Sequence, residues 1–153
     1  MKAANALIQY TATKEVDDGW DAVARNLIAA FAEQLGHVNN DSRDLAQMGI
    51  QNLATLWSFE EVFLVSRQHF TNKSIKVREL YALALCEVLG NTDLEFEEGG
   101  PLSKLTMTLI PLLSDEKAAV RDNAQRALVL SSQLDKTIRS KIESSKLLKA
   151  QLN

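Results

Sequence analysis

The chain has 153 residues, 46% of them apolar and 24% charged, with a formal net charge of −3. That length supports one continuous core and is short for two ordinary domains. Acidic and basic residues are interspersed and only two prolines and six glycines occur, which argues against disorder, while the negative net charge leaves no general reason to expect nucleic acid as a partner.

The opening stretch, Met1 to Gln9, is interrupted by Asn5 and Gln9 before an apolar signal core forms. No later apolar run is long enough to span a bilayer, so the chain is expected inside the cell, in the cytoplasm with the nucleus left open. From Trp20, the residues Val23, Ala24, Leu27, Ile28, Phe31 and Leu35 return at helical spacing, with Asp17 and Asp18 as candidate caps and Gly36 as the stop. A second helix is predicted from about Asp41 to Trp57 through Leu45, Met48, Gly49 and Leu53. Ser58 stands three residues before Glu61, the spacing of a reciprocal capping pair, and a third, shorter helix follows to about Phe70.

Thr71 and Asn72 offer a cap for a fourth helix carrying Val77, Leu80, Tyr81, Ala84, Leu85 and Val88, with Gly90-Asn91 suited to a left-handed stop. Gly99-Gly100-Pro101 opens a fifth, since proline loses no hydrogen bond at the first helical position, and Pro111 should kink or end it. Asp115 is the expected cap of a sixth helix reaching Leu134, and a seventh runs from about Asp135 with Ile138, Ile142, Leu148 and Leu152 on one side. Valine, isoleucine and the aromatic residues show no sustained alternation, so the expected class is all-α.

Three segments align when the chain is slid along itself: Leu45 to Leu53, Val77 to Leu85, and Val120 to Leu128. The last two share a polar turn, then Val-Arg, then small residues where helices must approach closely. A helix pair of this size cannot bury its own apolar face, so neighbouring pairs stack over a common core. The expected domain is one unit, 1–153, with pairs at 20–57, 59–90 and 101–134 and a terminal helix at 135–152.

Glu98-Gly99-Gly100-Pro101-Leu102, Leu112-Leu113-Ser114-Asp115, Val120-Arg121-Asp122-Asn123-Ala124, Ala127-Leu128 and the stretch from Arg139 to Leu148 together resemble an armadillo repeat running into the next, across residues 72–153. The resemblance, shared with HEAT repeats, implies an α-solenoid that binds another protein. Leu53-Ala54-Thr55-Leu56-Trp57, Asn72 to Val77 and Leu83-Ala84-Leu85 are similar to the PUL domain of ubiquitin-pathway adaptors, which implies docking to a ring-shaped AAA+ unfoldase. Arg43, Lys73, Lys76 and Lys117 occupy turns comparable to the basic turns of the tubulin-binding TOG domain, which implies tubulin as partner.

The partner-binding candidates are therefore Arg43, Lys73, Lys76, Arg78, Lys117 and Arg121. Arg78 and Arg121 follow the core valines at equivalent positions and have two roles open to them: a ladder of cations for a partner's carboxylates, or a bridge to a neighbouring acidic group or helix end. Lys73, Lys76 and Lys117 lie in turns at one edge, either as a stripe facing an acidic partner or as ordinary solvated charge.

The loop Asn91 to Glu98 gathers four acids around Leu94 and Phe96; Phe96 either anchors a partner or tucks onto the repeats. The basic residues of the last helix suit either an anionic partner or a soluble end of the stack, and exposed apolar ends would permit self-association.

Catalysis is not expected. His37 and His69 have no neighbours at metal-ligand spacing, the acids near Phe96 lack a calcium pattern, and no phosphate loop or nucleophile elbow occurs. Lone Cys86 forms neither an internal disulfide nor a cysteine metal cluster and reads as a buried thiol. No cofactor or metal is implied.

Overall fold

The computed structural model describes residues 1–12, 19–91 and 93–145, and within these the chain is all-helical. The α-helices are α1 (Lys2–Ala12), α2 (Gly19–Leu35), α3 (Asn40–Leu56), α4 (Ile75–Gly90), α5 (Pro101–Leu112), α6 (Ala118–Leu134) and α7 (Thr137–Ser144); between α3 and α4 lie a π-helix, Glu60–Val65, and a 3-10 helix, Arg67–Thr71. Helix α1, absent from the periodicity reading, packs on α3. It is anchored by buried Ile8 and by Asn5, whose Nδ2 donates to the Leu45 carbonyl at 3.0 Å.

Packing partners follow a regular order. Helix α3 lies against α4 and α4 against α6, while α2, the π/3-10 segment, α5 and α7 pack over these helices. One hydrophobic cluster runs continuously from Ile8 to Ile138. Close approach of α2 and α3 depends on Gly49: a Cβ there would lie 2.4 Å from Cζ of the fully buried Phe31 ring. At the centre, Tyr81 meets Phe63 and Phe70 edge-on at ring separations of 5.7 and 4.9 Å. Its hydroxyl donates to the Val62 carbonyl at 2.5 Å, satisfying an acceptor in the last turn of the π-helix that would otherwise be buried alone.

Several local expectations are corrected. The third helix is not one α-helix: a widened π turn and a tightened 3-10 turn adjust the register so that Phe59, Phe63 and Phe70 are all buried. The Ser58–Glu61 capping pair is half formed. Ser58 Oγ accepts from Glu61 N at 3.1 Å, but the Glu61 carboxylate is drawn across to Arg25 of α2 at 3.0 Å. Helix α4 is capped by Ser74, which accepts from Val77 N, and not by Thr71 or Asn72. Asp115 does not cap α6, whose N-cap is Lys117 without a side-chain bond. Gly90-Asn91 ends α4 without a left-handed residue; the positive φ of 72° belongs to Gly99. Helix α5 ends at Leu112, one residue past Pro111, in keeping with the expectation that the proline kinks or ends it. Asp17, Asp18, Lys146, Leu148, Lys149 and Leu152 lie outside the described residues.

Candidate protein-binding surfaces

Three turns, joining α2 to α3, the 3-10 helix to α4, and α5 to α6, are built by the same chemistry. In each, one side chain accepts the backbone N–H two residues on: His37 Nδ1 from Asn39 at 3.1 Å, Asn72 Oδ1 from Ser74 at 2.9 Å, and Asp115 Oδ1 from Lys117 at 3.0 Å. Six residues beyond that position an arginine in the first turn of the next helix reaches back to its carbonyl. Arg43 donates to His37 O at 2.7 Å, Arg78 to Asn72 O at 2.9 Å and Arg121 to Asp115 O at 2.7 Å. Each arginine thereby satisfies turn carbonyls that no helix amide reaches, and pins the turn to the helix that follows. Arg43 adds a bond to the Asn40 side chain.

Arg78 also ties two turns together. Its Nε and Nη2 donate to both oxygens of Asp115, at 2.9 and 3.3 Å, with Glu116 3.7 Å away. The side chains are only 13% and 9% exposed, so the fork is committed inside the chain. Burial raises the Asp115 carboxyl, but the Arg78 hydrogen bonds, the Lys117 amide and the fields of Arg78 and Arg121 outweigh it and hold the group below the usual carboxylate range.

Between the first and second turns Asn72 stands where Asp115 would, no ion pair bridges them, and a cleft of about 470 Å³ lies there, lined by Glu33, His37, His69 and Ser74 among others. Burial against Tyr81 pushes the His69 imidazole below its usual pKa. No group of three or more metal-ligating side chains occurs among the described residues.

Of the lysines expected at this edge, Lys73 and Lys117 are exposed. Lys76 turns to Glu79 of its own helix at 3.2 Å.

The opposite edge carries different features. Trp57 Nε1 donates to Asp21 at 3.0 Å, closing α3 onto the start of α2. The loop before α5 lays Phe96 on Phe59, ring edge to face at 4.9 Å, so Phe96 tucks onto the helices. That loop is fastened by fully buried Asp135, which accepts from Gly99 N at 3.1 Å and from the backbone and hydroxyl of Thr137. Neither the linking role of Asp135 nor that of Asp115 was read from the sequence. The arginine clamp of the three turns does leave a trace, a polar turn residue six before an arginine, at 37/43, 72/78 and 115/121.

No protein-family model matches this chain, and no curated protein sequence is significantly similar to it. No helix among the described residues is long and apolar enough to cross a membrane.

Proposed function

We propose that the chain is a non-catalytic protein-binding scaffold, an armadillo/HEAT-like α-solenoid of three helix pairs flanked by α1 and α7. The observation that carries this reading is the threefold recurrence of one turn, with its side-chain acceptor and its arginine six residues on, in front of α3, α4 and α6. Repeated turns of one geometry set side chains at regular intervals along an edge, and a surface held this firmly loses little conformational entropy when a partner docks. Lys73 and Lys117 occupy that edge one pair apart and present charge to an acidic partner.

The exposed turn lysines also favour a second reading, tubulin binding, over an unfoldase adaptor. Affinity capture from cell lysate with the wild-type chain and a Lys73→Glu/Lys117→Glu variant, with bound proteins identified by mass spectrometry, tests both. A protein retained by the wild type and lost from the variant supports the scaffold; if it is tubulin, the cytoskeletal reading follows. Capture of nothing by the wild type would sink both.

A further inference from the structure

A groove of about 500 Å³ opens on the edge opposite the turn lysines, between the start of the π-helix and the loop leading into α5. Its lining combines two kinds of surface. Phe59, Leu94, Phe96 and Pro101 supply an apolar floor, and Glu60, Glu95 and Glu97 stand around it as exposed carboxylates, against a single cation, Lys104. Asp93 and Glu98, also exposed, extend the negative field along the same loop, which carries no basic residue from Asp93 to Gly100.

This groove is preformed. Phe96 is fixed edge-on against Phe59 at 4.9 Å, Gly100 N closes a turn onto the Glu97 carbonyl at 3.0 Å, and the Asp135 carboxylate holds the loop's end through Gly99 N. The chain's own arginines are engaged elsewhere: Arg25 with Glu61, and Arg126 with Glu87. Lining carboxylates around an aromatic floor therefore face solvent with a net charge of −2 (three glutamates and one lysine).

We infer that this groove binds a basic peptide segment of a partner protein, taking a lysine or arginine whose methylene stem lies on Phe96 and whose charged head reaches Glu60, Glu95 and Glu97. The two halves of such a side chain match the two halves of the groove. Its methylenes cover apolar surface while the head stays wet, and a cation beside an aromatic ring gains from the ring's quadrupole. An acidic segment would meet like charge on three sides, and a wholly apolar one would leave the carboxylates without a counter-ion. This names a partner class for the scaffold reading and rests on it, but uses a different edge from the turn lysines.

The test is a titration of the 15N-labelled chain with an acetylated, amidated hexapeptide of sequence Gly-Leu-Arg-Lys-Leu-Gly, beside a control with glutamate in place of the two basic residues. Saturable amide shifts are expected around Phe59, Phe96 and Lys104 with the basic peptide alone, weakening about fivefold between low and moderate salt. Glu60→Gln/Glu95→Gln/Glu97→Gln, which alters only exposed side chains, is expected to weaken binding about tenfold with an unchanged melting temperature. Phe96→Leu, which keeps an apolar contact on Phe59, is expected to cost about threefold. No saturable shift at millimolar peptide, equal response to the acidic control, or wild-type binding by the triple variant would overturn the inference. If lysate capture still returns a partner that depends on Lys73 and Lys117, the scaffold stands and only the groove falls.

Discussion

The Arg78–Asp115 pair joins consecutive turns, and its removal should cost more than the loss of the arginine that serves one turn alone. Asp115→Ala deletes two hydrogen bonds to a guanidinium whose side chain is 13% exposed, together with the turn bond to Lys117 N. Stranding one partner of a buried pair costs about 3–5 kcal/mol, but Arg78 keeps its bonds to the Asn72 and Lys73 carbonyls, which lowers the expectation to about 2–3 kcal/mol. For a domain of this size that is a drop in melting temperature of roughly 5–10 °C. Arg43→Ala, by contrast, loses bonds within one turn and should cost about 1 kcal/mol.

Urea unfolding followed by circular dichroism measures both. The double cycle Arg78→Met, Asp115→Ala should show a coupling energy of about 1–2 kcal/mol. A coupling near zero, or an Asp115→Ala loss no larger than that of Arg43→Ala, would refute the idea that this pair ties the second turn to the third.

The remaining predictions concern packing, pH and reactivity. Gly49→Ala, which in an open helix would add about 1 kcal/mol, should destabilise the chain by about 1–2 kcal/mol because the new methyl overlaps the buried Phe31 ring; stabilisation in the same urea assay would contradict that packing. Asp115 has its carboxyl depressed in the folded state, so its contribution is present above the unfolded pKa of about 4 and disappears as pH falls through the lower folded value. The stability gap between wild type and Asp115→Asn should therefore narrow in acid below about pH 4. His69 is depressed by burial, so stability should decline as pH falls below about 6.5, where the unfolded chain takes up the proton first; a His69→Gln variant should lack that slope. Burial pushes the Cys86 thiol up to about 11, and Sγ donates to the Asn123 carbonyl. Cys86 should resist a maleimide at neutral pH until the chain unfolds; rapid native labelling would show the thiol is reachable.

Much of the helical plan is legible from local signals. Apolar spacing located α2, α3, α4 and α6 to within a few residues, and Gly100-Pro101 marked the start of α5, because helix periodicity and the missing proline N–H act within a turn or two of chain. The recurrence of Val-Arg in the first turns of α4 and α6 was visible for the same reason. Helix α1 was not read from the sequence; its place on α3 is set in part by Asn5, which reaches a carbonyl forty residues away. The π and 3-10 turns were hidden too: they answer to where Tyr81 needs Phe63, Phe70 and the Val62 carbonyl, a demand that arises only when α4 arrives.

The candidate surfaces divide along the same line. The sequence by itself determined which residues are basic and that they fall close to where helices begin. Tertiary structure decided that Arg43, Arg78 and Arg121 are clamps on those turns, that Lys76 turns to Glu79, and that Lys73 and Lys117 remain exposed. It likewise placed the acids of the 93–98 loop beside Glu60 and laid Phe96 on Phe59, more than thirty residues back along the chain. Charge and period are properties of residues in order. A fork shared between two turns, or a floor shared between a loop and a helix, exists only after packing has brought distant segments within hydrogen-bond reach.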